Sequence, residues 1–208
     1  MAGESILIAD DHPLFRQALS LAASRIRPDA RIIEAGTLDT ASRAAEANAD
    51  IALILLDLNM PGATGYSGVA LLHAERPGVP ILVVSSAEAS SAAAEARRFG
   101  AVGFVSKESD LGTIERAIAN ALAGETIETP ASGELDDVAA RVAALTPTQL
   151  RVLLGVLDGR LNKQIAFDLG ITEATVKAHM TVILRKLDVG NRTQAALAAR
   201  ALGIGIKH

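Results

Sequence analysis

Ile51-Ala52-Leu53-Ile54-Leu55-Leu56-Asp57-Leu58-Asn59-Met60-Pro61-Gly62 sets six apolar residues directly before an acid and closes on a Pro-Gly turn. A run without polar alternation needs burial on both faces, which the centre of a parallel sheet provides. Ile81-Leu82-Val83-Val84 repeats the pattern, and Ile6–Ala9, Arg31–Ala35 and Gly103–Val105 are shorter runs of the same kind. Between them the apolar residues take helical spacing, over Pro13–Arg27, Leu38–Ala47, Ser67–Arg76, Ser90–Phe99 and Leu111–Ala123. Strict alternation of strand and helix predicts a doubly wound α/β unit, a five-stranded parallel sheet with helices on both faces.

The chain has 208 residues, half of them hydrophobic, which suits two domains with real cores and excludes disorder as the dominant state. It has no Cys, so a disulfide framework, a thiolate metal site and a cysteine nucleophile are all excluded and a reducing, cytoplasmic location is expected. Four Phe, one Tyr and no Trp leave little material for stacking RNA bases. Neither a secretory leader nor a membrane span is expected, because no run approaches about 18 apolar residues.

After residue 125 the pattern changes. Glu128-Thr129-Pro130-Ala131-Ser132-Gly133-Glu134-Leu135-Asp136-Asp137 combines Pro, Gly and four acids and reads as linker. The expected division is a first domain over 1–125, a linker over 126–142 and a small all-α domain over 143–208. In the last, Thr146-Pro147-Thr148-Gln149 spells a capping box that opens a helix ending near Gly159. Asn162 is expected to cap Lys163–Leu169, Thr172 to cap Glu173–Leu187 with Gly190 ending it, and Asn191 to cap a fourth helix through about Leu202. Residues 1–125 carry 10 basic against 16 acidic residues, whereas 146–208 carry nine against four. Only the last third is therefore suited to approach a polyanion such as DNA.

In an open parallel sheet, ligands bind beyond the carboxyl ends of the strands. Asp10 and Asp11 follow the first strand and Asp57 the third. Three convergent carboxylates call for a hard cation, and Mg²⁺ is the economical choice, with the backbone carbonyl of Asn59 as a further ligand. Asp57 can then act as nucleophile toward an activated phosphoryl group, giving an acyl phosphate. Ser85 after the fourth strand and Lys107 after the fifth lie at the same edge to hold the phosphoryl oxygens. Singly these residues could be caps or loop positions; jointly they specify one site.

These positions resemble the receiver domain of two-component response regulators, a flavodoxin-like fold, over residues 5–123. The resemblance implies phosphorylation of Asp57 by a sensor histidine kinase, Mg²⁺ at Asp10, Asp11 and Asp57, and Phe104 as a switch aromatic that turns inward once Ser85 moves toward the phosphoryl group. One departure is visible: Ala63-Thr64-Gly65-Tyr66-Ser67-Gly68 intervenes where the family runs almost directly into the third helix.

In the tail, Val176, Met180, Ile183 and Leu187 form an apolar stripe, and Ala174, Lys177, Ala178, Thr181 and Arg185 form the opposite face, small in the middle and cationic along its length. Short helix, Gly turn and long helix make a helix-turn-helix. Leu145-Thr146-Pro147, Asn162-Lys163-Gln164-Ile165-Ala166, Thr175-Val176-Lys177-Ala178-His179 and Asn191-Arg192-Thr193 resemble the LuxR-type domain. The whole chain is thus similar to NarL/FixJ-family response regulators. The resemblance implies base contacts from Lys177, Ala178 and Thr181 on double-stranded DNA, and phosphate contacts from some of Lys163, Thr175, Arg185 and Arg192. His179 has no partner at metal-ligand spacing. The Ala- and Leu-rich last helix is expected to form a homodimer contact on DNA.

The expected function is a phosphorylation-controlled transcription factor and not an enzyme. A phosphatase using Asp57 would need an acid two residues later, where Asn59 stands. A receiver that ignores phosphorylation would have lost an acid or the Lys.

Overall fold

The computed structural model describes residues 4–86, 89–124 and 134–204. Five strands, β1 (Ser5–Ala9), β2 (Arg31–Ala35), β3 (Ile51–Leu56), β4 (Ile81–Ser85) and β5 (Gly103–Ser106), alternate with α1 (Pro13–Ile26), α2 (Leu38–Ala47), α3 (Ser67–Glu75), α4 (Ala89–Arg98) and α5 (Leu111–Leu122). All pairings are parallel, in the order β2-β1-β3-β4-β5. The expected doubly wound sheet is therefore present, and its order turns at β1 and β3, the strands that carry the acids.

The continuous apolar runs divide by parity. Ile6, Ile8, Leu53, Leu55, Leu82 and Val84 face one side, against Leu19, Ala22 and Ala23 of α1 and Ile114 and Ile118 of α5. Leu7, Ala9, Ile54, Leu56, Ile81 and Val83 face the other, against α2, α3 and α4 through Leu38, Ala41, Val69, Leu72 and Ala96. Each side supplies a layer of fully buried aliphatic contacts, of order 2 kcal/mol per large side chain.

The second domain follows its punctuation closely. α7 (Pro147–Leu157) opens on the capping box, with Gln149 N–H donating to Thr146 Oγ1 and Thr146 N–H to Gln149 Oε1. α8 (Asn162–Leu169) ends on Gly170 in the left-handed region, φ +64°, and α9 (Glu173–Leu187) opens on Thr172. α10 (Arg192–Ala201) opens on Asn191, whose Oδ1 accepts from Gln194 N–H at 2.9 Å.

Three details differ from the sequence reading. Residues 134–143, assigned to the linker except for the last, form α6 (Glu134–Ala143). Its Ala139 and Val142 are buried against α9 and the receiver helices, an apolar stripe that the preceding acids obscured. Residues 126–133 of that linker lie outside the described residues. Leu161, not Asn162, occupies the N-cap of α8; its N–H donates to Gln164 Oε1 at 2.8 Å, while Asn162 Oδ1 accepts from Arg192. α9 ends not at Gly190 but on Asp188, which takes φ +57° itself, a conformation Asp tolerates better than most residues.

Candidate functional site

Ladder hydrogen bonds place the acids. Asp10 N–H donates to Ala35 O and Asp57 N–H to Ala9 O, so both residues leave adjacent strands at one edge. Asp10 and Asp57 are 0% and 2% exposed, a burial that carboxylates accept only with partners or a cation. Lys107, carried by the end of β5, supplies one: its Nζ lies 2.6 Å from Asp10 Oδ2 and 2.8 Å from Asp57 Oδ2. Burial pulls the Lys107 ammonium down, but the two carboxylates outweigh it and hold it above the ordinary lysine value. Lys107 N–H donates to Ser85 O, and Ser85 is fully buried at the end of β4. Sequence had placed these four groups at one edge; the structure sets Lys107 against both carboxylates and ties it to Ser85 through the backbone.

Lys107 satisfies only half of Asp57. Asp57 Oδ1 is buried and has no hydrogen-bond partner. Asp10, Asp11, His12 and Asp57 each offer a ligand atom within 4.8 Å of the others, so the donor set fits a hard divalent ion. Receiver domains bind Mg²⁺ at such an acidic pocket. Phe104 is half-buried and packs on the α2–α4 side of the sheet.

Sequence reasoning missed three neighbours. His12 N–H donates to Asp10 Oδ1 at 2.8 Å and its Nδ1 lies 2.7 Å from Asp11 Oδ1. Arg16 Nη1 donates to the Asp10 carbonyl at 2.8 Å, and the Lys107 ammonium sits 4.8 Å from the centre of the Phe15 ring. The adjacency Asp10-Asp11-His12 was visible as a signal for the first; the other two depend on how α1 turns away from β1.

In the second domain Val176, Met180, Ile183 and Leu187 are buried as the stripe required, and Ala174, Lys177, Ala178, Thr181 and Arg185 are all exposed. The α9 face is therefore open, with Lys163 of α8 also exposed. Thr181 Oγ1 donates back to Lys177 O at 3.1 Å, and Thr175 is half-buried beside the capping Thr172. Arg192 is half-buried and is drawn into the fold: it donates to Asn162 Oδ1 and to the Arg160 carbonyl, tying α10 to the start of α8.

Fold and site together define a receiver-type signalling protein that carries a helix-turn-helix domain. The response regulator receiver domain family matches residues 6–119, and the bacterial regulatory proteins of the luxR family match residues 143–199. The chain is 40% identical to the glycerol metabolism activator of Pseudomonas putida, over 93% of this chain and 94% of that one. It is 32% identical to the nitrate/nitrite response regulator NarL of Escherichia coli K12, over 93% of each. Among solved structures, a LuxR-family two-component response regulator from Aurantimonas is 28% identical with TM-score 0.54, covering 62% of this chain and 91% of that one. RcsB of Salmonella typhimurium shares the fold at 21% identity, TM-score 0.53, with 97% and 100% covered. The chain belongs to the NarL/FixJ family of two-component response regulators. Members are transcriptional regulators rather than enzymes, and phosphorylation-dependent control is their general mechanism. Among the described residues no helix is long and apolar enough to cross a membrane.

Proposed function

We propose that Asp57 accepts a phosphoryl group from the phosphohistidine of a sensor histidine kinase, and that this acceptance controls pairing and DNA binding of the α7–α10 domain. The unpartnered Oδ1 of Asp57 carries the reading. Its companion Oδ2 is held by Lys107, so Oδ1 is the free nucleophile. Oδ1 forms the new P–O bond while the P–N bond of the donor breaks and its imidazole leaves with the electron pair.

Asp10, Asp11 and Asp57, with the carbonyl of Asn59, would hold Mg²⁺, which when bound neutralises phosphoryl charge beside Asp57. Lys107 then exchanges a carboxylate contact for a phosphoryl oxygen. Ser85 bonds another, and Phe104, half-buried already, follows it inward. On DNA, Lys177, Ala178 and Thr181 meet base edges in the major groove, and some of Lys163, Thr175, Arg185 and Arg192 meet phosphates. The working form on DNA is a homodimer, and the protein acts in the cytoplasm.

Wild type and Asp57→Asn, each incubated with Mg²⁺ and a small-molecule phosphodonor, test this by intact mass and by selection of genomic DNA fragments. One phosphoryl gain in wild type alone, with tighter selective binding, is expected. Equal DNA binding with and without phosphorylation would refute the control.

A further inference from the structure

Lys107 grips the carboxylates of Asp10 and Asp57, whereas Asp11 Oδ1 is buried and accepts no hydrogen bond. Beside it, at 2.7 Å, stands Nδ1 of His12, an imidazole 68% exposed to solvent. That oxygen is therefore aimed by the backbone beneath it, and first by the peptide that joins Asp11 to Asp10. A peptide unit is planar, so whatever fixes its carbonyl fixes the direction in which the next residue leaves.

Arg16, in the first turn of α1, fixes that carbonyl. Its Nη1 donates to Asp10 O at 2.8 Å while its Nε donates to Glu34 Oε2 at 2.8 Å, so one rigid guanidinium spans the two. Glu34 lies on β2 next to Ala35, whose carbonyl accepts from Asp10 N–H at 3.0 Å. The backbone of Asp10 is thus tied to β2 twice, directly at its N–H and through Arg16 at its C=O. The Arg16 side chain is 18% exposed, which leaves water little room to take over the contact. Electrostatics alone gives no reason for a guanidinium here, because a fixed cation beside Asp10 and Asp11 repels a divalent ion at the same acids.

We propose that Arg16 is a positioning residue for phosphoryl acceptance: by clamping the Asp10–Asp11 peptide to Glu34, it holds the Asp11 carboxylate toward Asp57 as a preformed part of the Mg²⁺ site. This rests on the reading that Mg²⁺ held at Asp10, Asp11 and Asp57 assists phosphorylation of Asp57. Without the clamp the peptide is free to rotate, the half-buried Asp11 turns to solvent for part of the time, and ion binding must first recover it. Position and charge make opposite predictions. Removing a cation that acts only by its charge tightens Mg²⁺ binding; removing one that orients a ligand weakens it.

The test compares the full chain with Arg16→Gln, which removes the charge and the fork, and Arg16→Lys, which keeps the charge and loses the fork. Mg²⁺ affinity is read from amide chemical shifts, which also report the fold, and phosphorylation by a small-molecule phosphodonor is followed by intact mass across a series of Mg²⁺ concentrations. Arg16→Gln is expected to raise the Kd for Mg²⁺ about tenfold and Arg16→Lys about threefold. The Mg²⁺ concentration for half-maximal phosphorylation should rise in step, while the rate at saturating Mg²⁺ stays within about twofold of wild type. A lower melting temperature in EDTA with both Mg²⁺ constants unchanged would make Arg16 a structural residue and overturn the proposal. Tighter Mg²⁺ binding by Arg16→Gln, with Arg16→Lys equal to wild type, would make it a charge alone and equally overturn it. Should Arg16→Gln fail to fold, Arg16→Lys decides by itself, since a role by charge alone predicts no change there. If wild type gains no phosphoryl group, the acceptor reading fails, while the Mg²⁺ titration still decides the clamp.

Discussion

Replacing Lys107 by Met keeps the aliphatic stem and removes only the charge that lies 2.6 Å from Asp10 and 2.8 Å from Asp57. With the Lys107 side chain 12% exposed and both carboxylates 1% exposed, solvent can replace little of that charge. Deleting one member of a buried ion cluster costs about 3–5 kcal/mol. For a chain of this length about 1 kcal/mol moves Tm by roughly 2–4 °C, so Lys107→Met should melt about 10 °C below wild type in EDTA at pH 7. Mg²⁺ should raise the variant more than wild type, because the ammonium no longer competes for Asp10 and Asp57. At 100 times Kd the ion contributes about 2.7 kcal/mol by mass action, enough to recover much of the loss. Thermal unfolding followed by circular dichroism, with and without Mg²⁺, measures both quantities. A loss under about 1 kcal/mol, or equal stabilisation of the two proteins by Mg²⁺, would refute the account of Lys107 as the charge that makes the acid pair tolerable.

The same cluster sets an alkaline limit: Lys107 is raised in the folded state, so its contribution is complete below the ordinary lysine pKa of about 10.4 and is lost as pH rises through the raised value, a loss that Lys107→Met should not show. Burial pushes Glu75 up despite Ser42 and Arg151, so its contribution is complete below the ordinary carboxylate range and fades as pH rises through its raised pKa; Glu75→Gln should remove that slope from stability measured between about pH 4 and 7. Ile183→Ala, at a fully buried α9 position, should cost about 2–5 kcal/mol in the second domain and be seen as an earlier unfolding transition. Lys163→Ala should leave stability unchanged and lower the salt dependence of DNA binding by about one counterion, whereas Arg192→Ala should lower both, losing about 1 kcal/mol of stability with its bonds to Asn162 and Arg160.

The local grammar of this chain is written residue by residue, because strand burial, caps and turns depend on neighbours a few positions apart. Apolar runs such as Ile51–Leu56 dictated a central parallel strand, Thr146 and Asn191 dictated helix starts, and acids after the first and third strands dictated a site. Sequence by itself therefore determined the two-domain architecture, the convergence of Asp10, Asp57, Ser85 and Lys107 on one edge, and the cationic face of α9. Contacts between parts far apart in the chain carry no such local mark. That Lys107 binds Oδ2 of Asp57 and leaves Oδ1 bare, that Arg192 faces inward to Asn162, and that a helix emerges from an acidic stretch at Glu134 all depend on which surfaces meet. The sharpest case is the turn that leads from β3 into α3. Its sequence shows only a turn; the tertiary structure alone sets Gly65 against Ile204 and Arg151 against Glu75, because each pair is joined by packing between domains and not by spacing along the chain.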